Sequence, residues 1–89
     1  MSKQVYVVTG THDGVIGVFT NVKLAHERAI GYVGGEPVIF KDLVQGEAKY
    51  IKASYANIVK DVKSNGYASI YKSEWDNDGA AIEAMTLNY

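Results

Sequence analysis

His12 and His26 are the only imidazoles in a chain of 89 residues that contains no cysteine. Either histidine can serve as a general base near neutral pH. No serine beside them has a recognisable nucleophile setting, and His26 is expected on a helix surface, so acid–base catalysis is not expected and the chain reads as non-enzymatic. Thr9-Gly10-Thr11-His12-Asp13-Gly14 has the look of a glycine loop. Its spacing is not that of a phosphate loop, no Lys-Ser/Thr pair follows, and it leads into a strand rather than a helix N-terminus. It reads as a hairpin turn; the functional alternative is a contact loop in which His12 and Asp13 touch a ligand. Glu74-Trp75-Asp76-Asn77-Asp78-Gly79 resembles the first half of a calcium loop. The twelfth position, where a bidentate Glu is needed, is Met85, and the flanks have strand character. No metal or cofactor is expected. The segment reads as an acidic hairpin turn, or as an acidic knob anchored by Trp75 and offered to a basic partner.

Two further sets of residues are suited to binding. Lys49, Lys52, Lys60 and Lys63 fall in one arc if residues 47–64 are helical, with Tyr50, Tyr67 and Tyr71 nearby as stacking surfaces for bases. The ordinary alternative is a solvated lysine face. A single arginine and a formal net charge of −1 give no global field toward nucleic acid. Seven tyrosines and one tryptophan are a generous aromatic supply. Tyrosine is inexpensive to order and tolerates both water and apolar surroundings. Tyr6, Tyr32 and Tyr55 suit the core, whereas Tyr50, Tyr71 and Tyr89 suit an interface.

Length and composition bound the rest. A chain of 89 residues makes one domain spanning residues 1–89. An apolar fraction of 47% excludes global disorder. The absence of cysteine excludes a disulfide framework and fits an intracellular protein. The opening residues lack a signal-peptide pattern, and no apolar run approaches the roughly 20 residues of a membrane span. A cytoplasmic location is expected. Charge is unevenly placed: residues 41–72 hold six lysines against Asp42, Glu47 and Asp61, while residues 73–89 hold Glu74, Asp76, Asp78 and Glu83 and no base.

The elements that position these residues begin with a hairpin. Residues 5–9 and 15–19 are β-rich, and Asp13-Gly14 suits a two-residue type I′ turn. That turn sets Val8 opposite Phe19, with Tyr6, Val8, Val15 and Phe19 on one side and Val5, Val7, Ile16 and Val18 on the other. Both sides are apolar, so each needs a cover. The period then changes to 3.6. A first helix is expected over residues 21–33, capped by Thr20, stapled by Phe19 against Leu24, and buried through Val22, Ala25, Ala29, Tyr32 and Val33. Gly34-Gly35 and Pro37 end it. Residues 38–40 read as a short edge strand. Residues 47–64 read as a second helix with Ala48, Ile51, Tyr55, Ile58, Val59 and Val62 in one arc; a rival reading begins that helix at Ser54 and makes residues 48–52 a strand. Asn65-Gly66 ends it, and residues 67–73 and 80–89 form a closing hairpin, with Ala81, Glu83, Met85, Leu87 and Tyr89 on one face.

The expected fold is α+β, a small antiparallel sheet in the order ββα(β)αββ with two helices packed on one face. The second face is then a surface for a partner or a second copy. The pattern VYVVTG…DGVIGVF-T-N…A…RA over residues 5–29 resembles small, mostly uncharacterised accessory proteins of T4-like bacteriophages. That resemblance implies a protein made in an infected bacterium that binds and disables a host or defence protein, and it carries no functional residues over. The leading expectation is an inhibitor acting by occlusion, with Trp75, Asp76, Asp78, Glu74, Tyr71 and Tyr89 as contact residues, and a possible homodimer. The alternatives are RNA or DNA binding through Lys49, Lys52, Lys60, Lys63 and Tyr50, or a dimer that sequesters a small nucleotide.

Overall fold

The computed structural model describes residues 2–73 and 75–88. Chain order is β1 (Ser2–Gly10), β2 (Gly14–Phe19), α1 (Val22–Val33), β3 (Val38–Val44), β4 (Glu47–Lys52), α2 (Tyr55–Asn65), β5 (Tyr67–Ser73) and β6 (Asp76–Asn88). The strands form one six-stranded sheet in the order β2-β1-β6-β5-β3-β4, and every pairing is antiparallel. Both helices lie on the same face: Ala25 and Ala29 of α1, and Ile58 and Val62 of α2, share one core with Val8, Ile39, Ile70 and Ile82. The fold is α+β as expected, with one strand more than the sequence suggested.

The first hairpin departs from the expected register. Gly10 pairs with Gly14 across a three-residue connection, the Asp13 N–H donates to the Gly10 carbonyl (3.4 Å), and Gly14 takes φ 67°. This is a turn closed by a left-handed glycine rather than a two-residue type I′ turn. Tyr6 therefore pairs with Phe19, Val7 with Val18 and Val8 with Gly17. The register shifts between Val8 and Thr9, leaving Ile16 as the extra residue of a bulge. The bulge turns Ile16 toward the core side with Tyr6 and Phe19, while Val15 and Val18 stay exposed.

Helix α1 is capped one residue later than expected. The Asn21 side chain accepts from the Lys23 N–H at 2.7 Å. An amide oxygen serves an N-cap as well as a hydroxyl does, and the shift leaves Leu24 exposed, so the expected staple with Phe19 is absent. The Gly34 N–H donates to the Ile30 carbonyl (2.8 Å) at the other end.

The largest correction concerns residues 47–52. They form β4, not the first turns of a long helix. Gln45 and Gly46 both take positive φ (53° and 80°), the two-residue turn that matches strand twist, and Val44 pairs with Glu47 across it. α2 then starts where Ser54 accepts from the Asn57 N–H, and the Asn57 side chain donates to the Lys52 carbonyl (2.9 Å). The rival reading of the sequence was the correct one here. Six residues hold too few periods to separate helix from strand, and pairing with β3 decides between them. The closing hairpin is also tighter than expected: Ser73 pairs with Asp76, so Asp76-Asn77-Asp78-Gly79 belong to β6 rather than to the turn.

Gly79 explains how the two hairpins meet. The Thr11 hydroxyl accepts from the Gly79 N–H (2.8 Å) and donates to the Gly79 carbonyl (2.9 Å), which also accepts from the Thr11 N–H (3.0 Å). On the other side, a Cβ at Gly79 would run into the carbonyl group of Ile70. Gly79→Ala is expected to cost about 2 kcal/mol through overpacking, lowering Tm by roughly 10 °C for a domain of this size. Gly31→Ala, in α1 with open space around it, is expected to be neutral or to stabilise by up to about 1 kcal/mol. Differential scanning calorimetry on the two variants checks both values.

Candidate functional site: the uncovered face of the sheet

The helices cover one side of the sheet and leave the other open. Strand alternation assigns the open side directly. Ile82, Ala80 and Val8 point into the core, so their neighbours Val5, Val7 and Thr9 on β1 and Ala81, Glu83, Met85 and Leu87 on β6 point away from it. Val15 and Val18 extend this surface onto β2 and are 62% and 57% exposed. The expectation that the first hairpin is apolar on both sides holds, although Ile16 has changed sides. Val5 is buried without belonging to the helix-side core, so the open side already packs upon itself.

The other half of this face is aromatic. Phe40 (β3), Tyr50 (β4) and Tyr71 (β5) form two successive edge-to-face contacts, with ring centroids 5.8 and 6.1 Å apart. Tyr67 lies farther along β5 and is largely exposed. Trp75, at the β5–β6 turn, is 88% exposed and shares a recess with Ala48, Lys49 and Tyr50. A six-stranded sheet thus carries an aliphatic patch on β2-β1-β6 and an aromatic patch on β5-β3-β4. Glu83 places an acid in the middle of the face, between Val7 and Tyr67 in the pairing register.

The residues expected to form an acidic knob are separated. Trp75 stands beside β4, and Tyr71 is half-buried in the aromatic row. Asp78 instead turns to the first hairpin, where its carboxylate lies 3.1 Å from His12 Nε2, an ion pair when the imidazole is protonated. Glu74, Tyr89 and the side chain of Asp76 lie outside the described residues. The expected lysine stripe is divided too. Lys49 and Lys52 are on β4 and Lys60 and Lys63 on α2, so no single helix face presents all four. Tyr50 points to the open side with the aromatic row rather than beside a helical lysine arc.

The turn residues His12 and Asp13 are held by the protein itself. The Tyr32 hydroxyl donates to Asp13 Oδ2 (2.8 Å) and receives the His12 N–H (3.4 Å). The Asp13 hydrogen bond holds the Tyr32 phenol above its ordinary range. With the Thr11–Gly79 bonds this makes a polar clamp at one end of the sheet, and sequence reasoning missed it because its partners are distant in the chain. His26 is half-buried between the helices, its ring 5.3 Å from that of Tyr55. Burial pushes its imidazole below the ordinary range, against a hydrogen bond to the Ala53 carbonyl and the nearby Glu27, which act the other way. Among the described residues no group of three or more His, Asp and Glu side chains is arranged to hold a metal ion. Among the described residues no helix is long and apolar enough to cross a membrane.

Comparison with protein-family models, with curated proteins and with solved structures finds no match.

The lowered His26 value has a defined sign for stability. Above about pH 6.5 the imidazole is neutral in both folded and unfolded chains. As pH falls through that value the unfolded chain takes up the proton first, and stability declines until the folded-state value is passed. Urea midpoints of the native protein and of His26→Gln, measured from pH 7.5 to pH 5, are expected to converge or cross as pH falls. Parallel curves would remove His26 from the acid response.

Proposed function

We propose that this chain is a non-enzymatic interaction protein that binds a host or defence protein of the bacterium in which it is made, and inhibits it by occlusion. The observation that carries this reading is the uncovered, mostly apolar face of the sheet. A compact protein of 9.7 kDa exposes about 5,100 Å², whereas this chain exposes 5834 Å². The excess of roughly 700 Å² is close to the ~800 Å² that one partner contributes to a standard interface. It goes with a flat shape of 45 × 25 × 19 Å. Exposed apolar side chains gathered on one face, here Val15, Val18, Met85 and Leu87, mark a contact site.

Chemistry on the face describes the partner. Val15, Val18, Met85 and Leu87 call for an apolar counterpart, and the central Glu83 calls for one basic group within it. In a two-fold homodimer whose axis passed near Glu83, two carboxylates would be brought together, so a different protein fits the centre of the face better than a second copy does. Trp75 supplies the large, exposed aromatic side chain typical of residues that dominate binding energy. The resemblance to phage accessory proteins supplies the setting, the cytoplasm of an infected bacterium.

The test is a tagged pull-down from bacterial lysate, with and without nuclease, using the native chain and the double variant Val18→Asp/Met85→Asp. Both side chains are largely exposed, so the variant is expected to fold with a Tm within a few degrees of the native value. One protein retained after nuclease treatment and lost with the double variant supports the reading. Trp75→Ala is expected to weaken that complex by 2 kcal/mol or more, about 30-fold. Light scattering on the isolated chain gives the opposing outcome: a dimer that the double variant converts to monomer assigns the face to self-association.

A further inference from the structure

We propose that the split between β3 and β5 is a binding site for a nucleotide, with the base held in the sheet and the phosphate at its mouth. This does not depend on the protein-binding reading, whose aliphatic contacts lie on the β2-β1-β6 half of the open face and whose Trp75 stands beside β4 in a different recess.

The split has a structural cause. β3 and β5 pair only through Val38 with Tyr71 and Ile39 with Ile70. Continuing that register would set Phe40 beside Ser69 and Lys41 beside Ala68, but no such pairs form. The pairing ends where β3 carries a bulge against β4, between Phe40 and Asp42. Lys41 is the extra residue. A bulge bends its strand, ends a ladder and re-aims the side chain it carries. Here it opens a cleft of about 360 Å³ through the sheet, within the range of about 300–1,000 Å³ typical of small-molecule sites.

The cleft combines the kinds of group a nucleotide requires. Its floor is apolar, Ile39 and Ala68, both essentially fully buried. Phe40 from β3, and Tyr67 and Tyr71 from β5, also line it, aromatic side chains of the kind on which a planar heterocycle stacks. On the helix side α2 contributes Asp61 and Asn65. A carboxylate accepts and an amide both donates and accepts, the combination that reads the polar edge of a base. Lys41 lies on the cleft as a point charge for a phosphate. Among the described residues no other side chain hydrogen-bonds or pairs with Asp61, Asn65 or Lys41, so all three are available to a ligand. A wholly apolar ligand would leave this polar end unmatched, and a simple anion would leave the aromatic walls unused.

The ligand chemistry has two sources, a free mononucleotide or one nucleotide of a single strand. The experiment follows amide shifts of the labelled protein titrated with AMP, GMP, CMP and UMP, with the four nucleosides, and with octamers of uridylate and deoxythymidylate. Saturable shifts clustered on β3, β5 and the end of α2 are expected with at least one monophosphate. Tyr67→Ala is expected to weaken binding about tenfold or more, as loss of one stacking surface does. Lys41→Ala is expected to abolish the preference for the monophosphate over its nucleoside. Both residues are exposed, so the variants keep the fold, which their own spectra verify. Tighter binding of an octamer with the same dependence on Tyr67 and Lys41 assigns the site to single strands; tighter binding of the monophosphate assigns it to free nucleotide. No saturable shift with any of these probes, or shifts indifferent to both substitutions, overturns the proposal. Val18→Asp should leave the titration unchanged, which separates this site from the protein-binding face.

Discussion

Strand β6 is the constraint on which the other elements depend. It pairs from Ala80 to Asn88 with β1 on one side and, between Asp76 and Glu83, with β5 on the other. Its residues Ala80 and Ile82 lie in the core shared by both helices. The two ends of the chain are thereby brought together at the centre of the sheet, and the β3–β4 hairpin is added outside them. α1 carries the chain from the β2 edge to β3, and α2 carries it back to β5. Two such connections crossing the same face leave both helices on one side. With diameters of about 10 Å each, side by side they span roughly the width of a sheet of this size, where neighbouring strands are about 4.8 Å apart. No further element among the described residues remains to cover the other side, so the open apolar face follows from the topology itself.

The parts of the fold that were legible in the sequence are those decided by local chemistry. Gly34 and Gly66 end their helices because a left-handed or otherwise unusual backbone is needed there. Ala25 and Ala29 are buried because a helix that lies close on a sheet needs small residues on its contact stripe. The first hairpin was visible in its composition, and its two apolar sides correctly indicated a sheet with a second surface in need of cover. The misreadings arose where two local signals competed. Thr20 and Asn21 are both able caps, and only the geometry of the chain leaving β2 selects between them. Residues 47–52 satisfy helical and strand periodicity at once, and the arrangement is settled by β3, a strand whose own length was underestimated because Lys41 and Asp42 interrupt its apolar run.

The candidate residues were legible by chemical type, and their placement was not. Tyr50, Tyr71 and Trp75 suit binding because an aromatic side chain tolerates both water and apolar surroundings, and all three border the open face. That Asp78 turns to His12, or that Thr11 brackets Gly79, depends on contacts between residues 66 or more positions apart in the chain. No window of sequence contains both partners. The same holds for the lysines: an arc drawn on an assumed helix disappears once half of it is in a strand, while Lys41, which had no place in that arc, becomes the extra residue of a bulge.

The narrow attachment of β3 has a mechanical meaning. The β3–β4 ribbon pairs with the body of the sheet through two residue pairs, Val38 with Tyr71 and Ile39 with Ile70, whereas β1, β6 and β5 are joined along most of their lengths. Segments with few ties open at lower free energy than the whole domain unfolds. The ribbon is thus a leaf hinged on the rest of the molecule. Amide protons in β4 should exchange through excursions of that leaf, while those of β6 should wait for global unfolding. An occupant wedged beside the hinge would hold the leaf at one angle, and so fix how the rings of Phe40 and Tyr50 meet whatever lies against the outer surface.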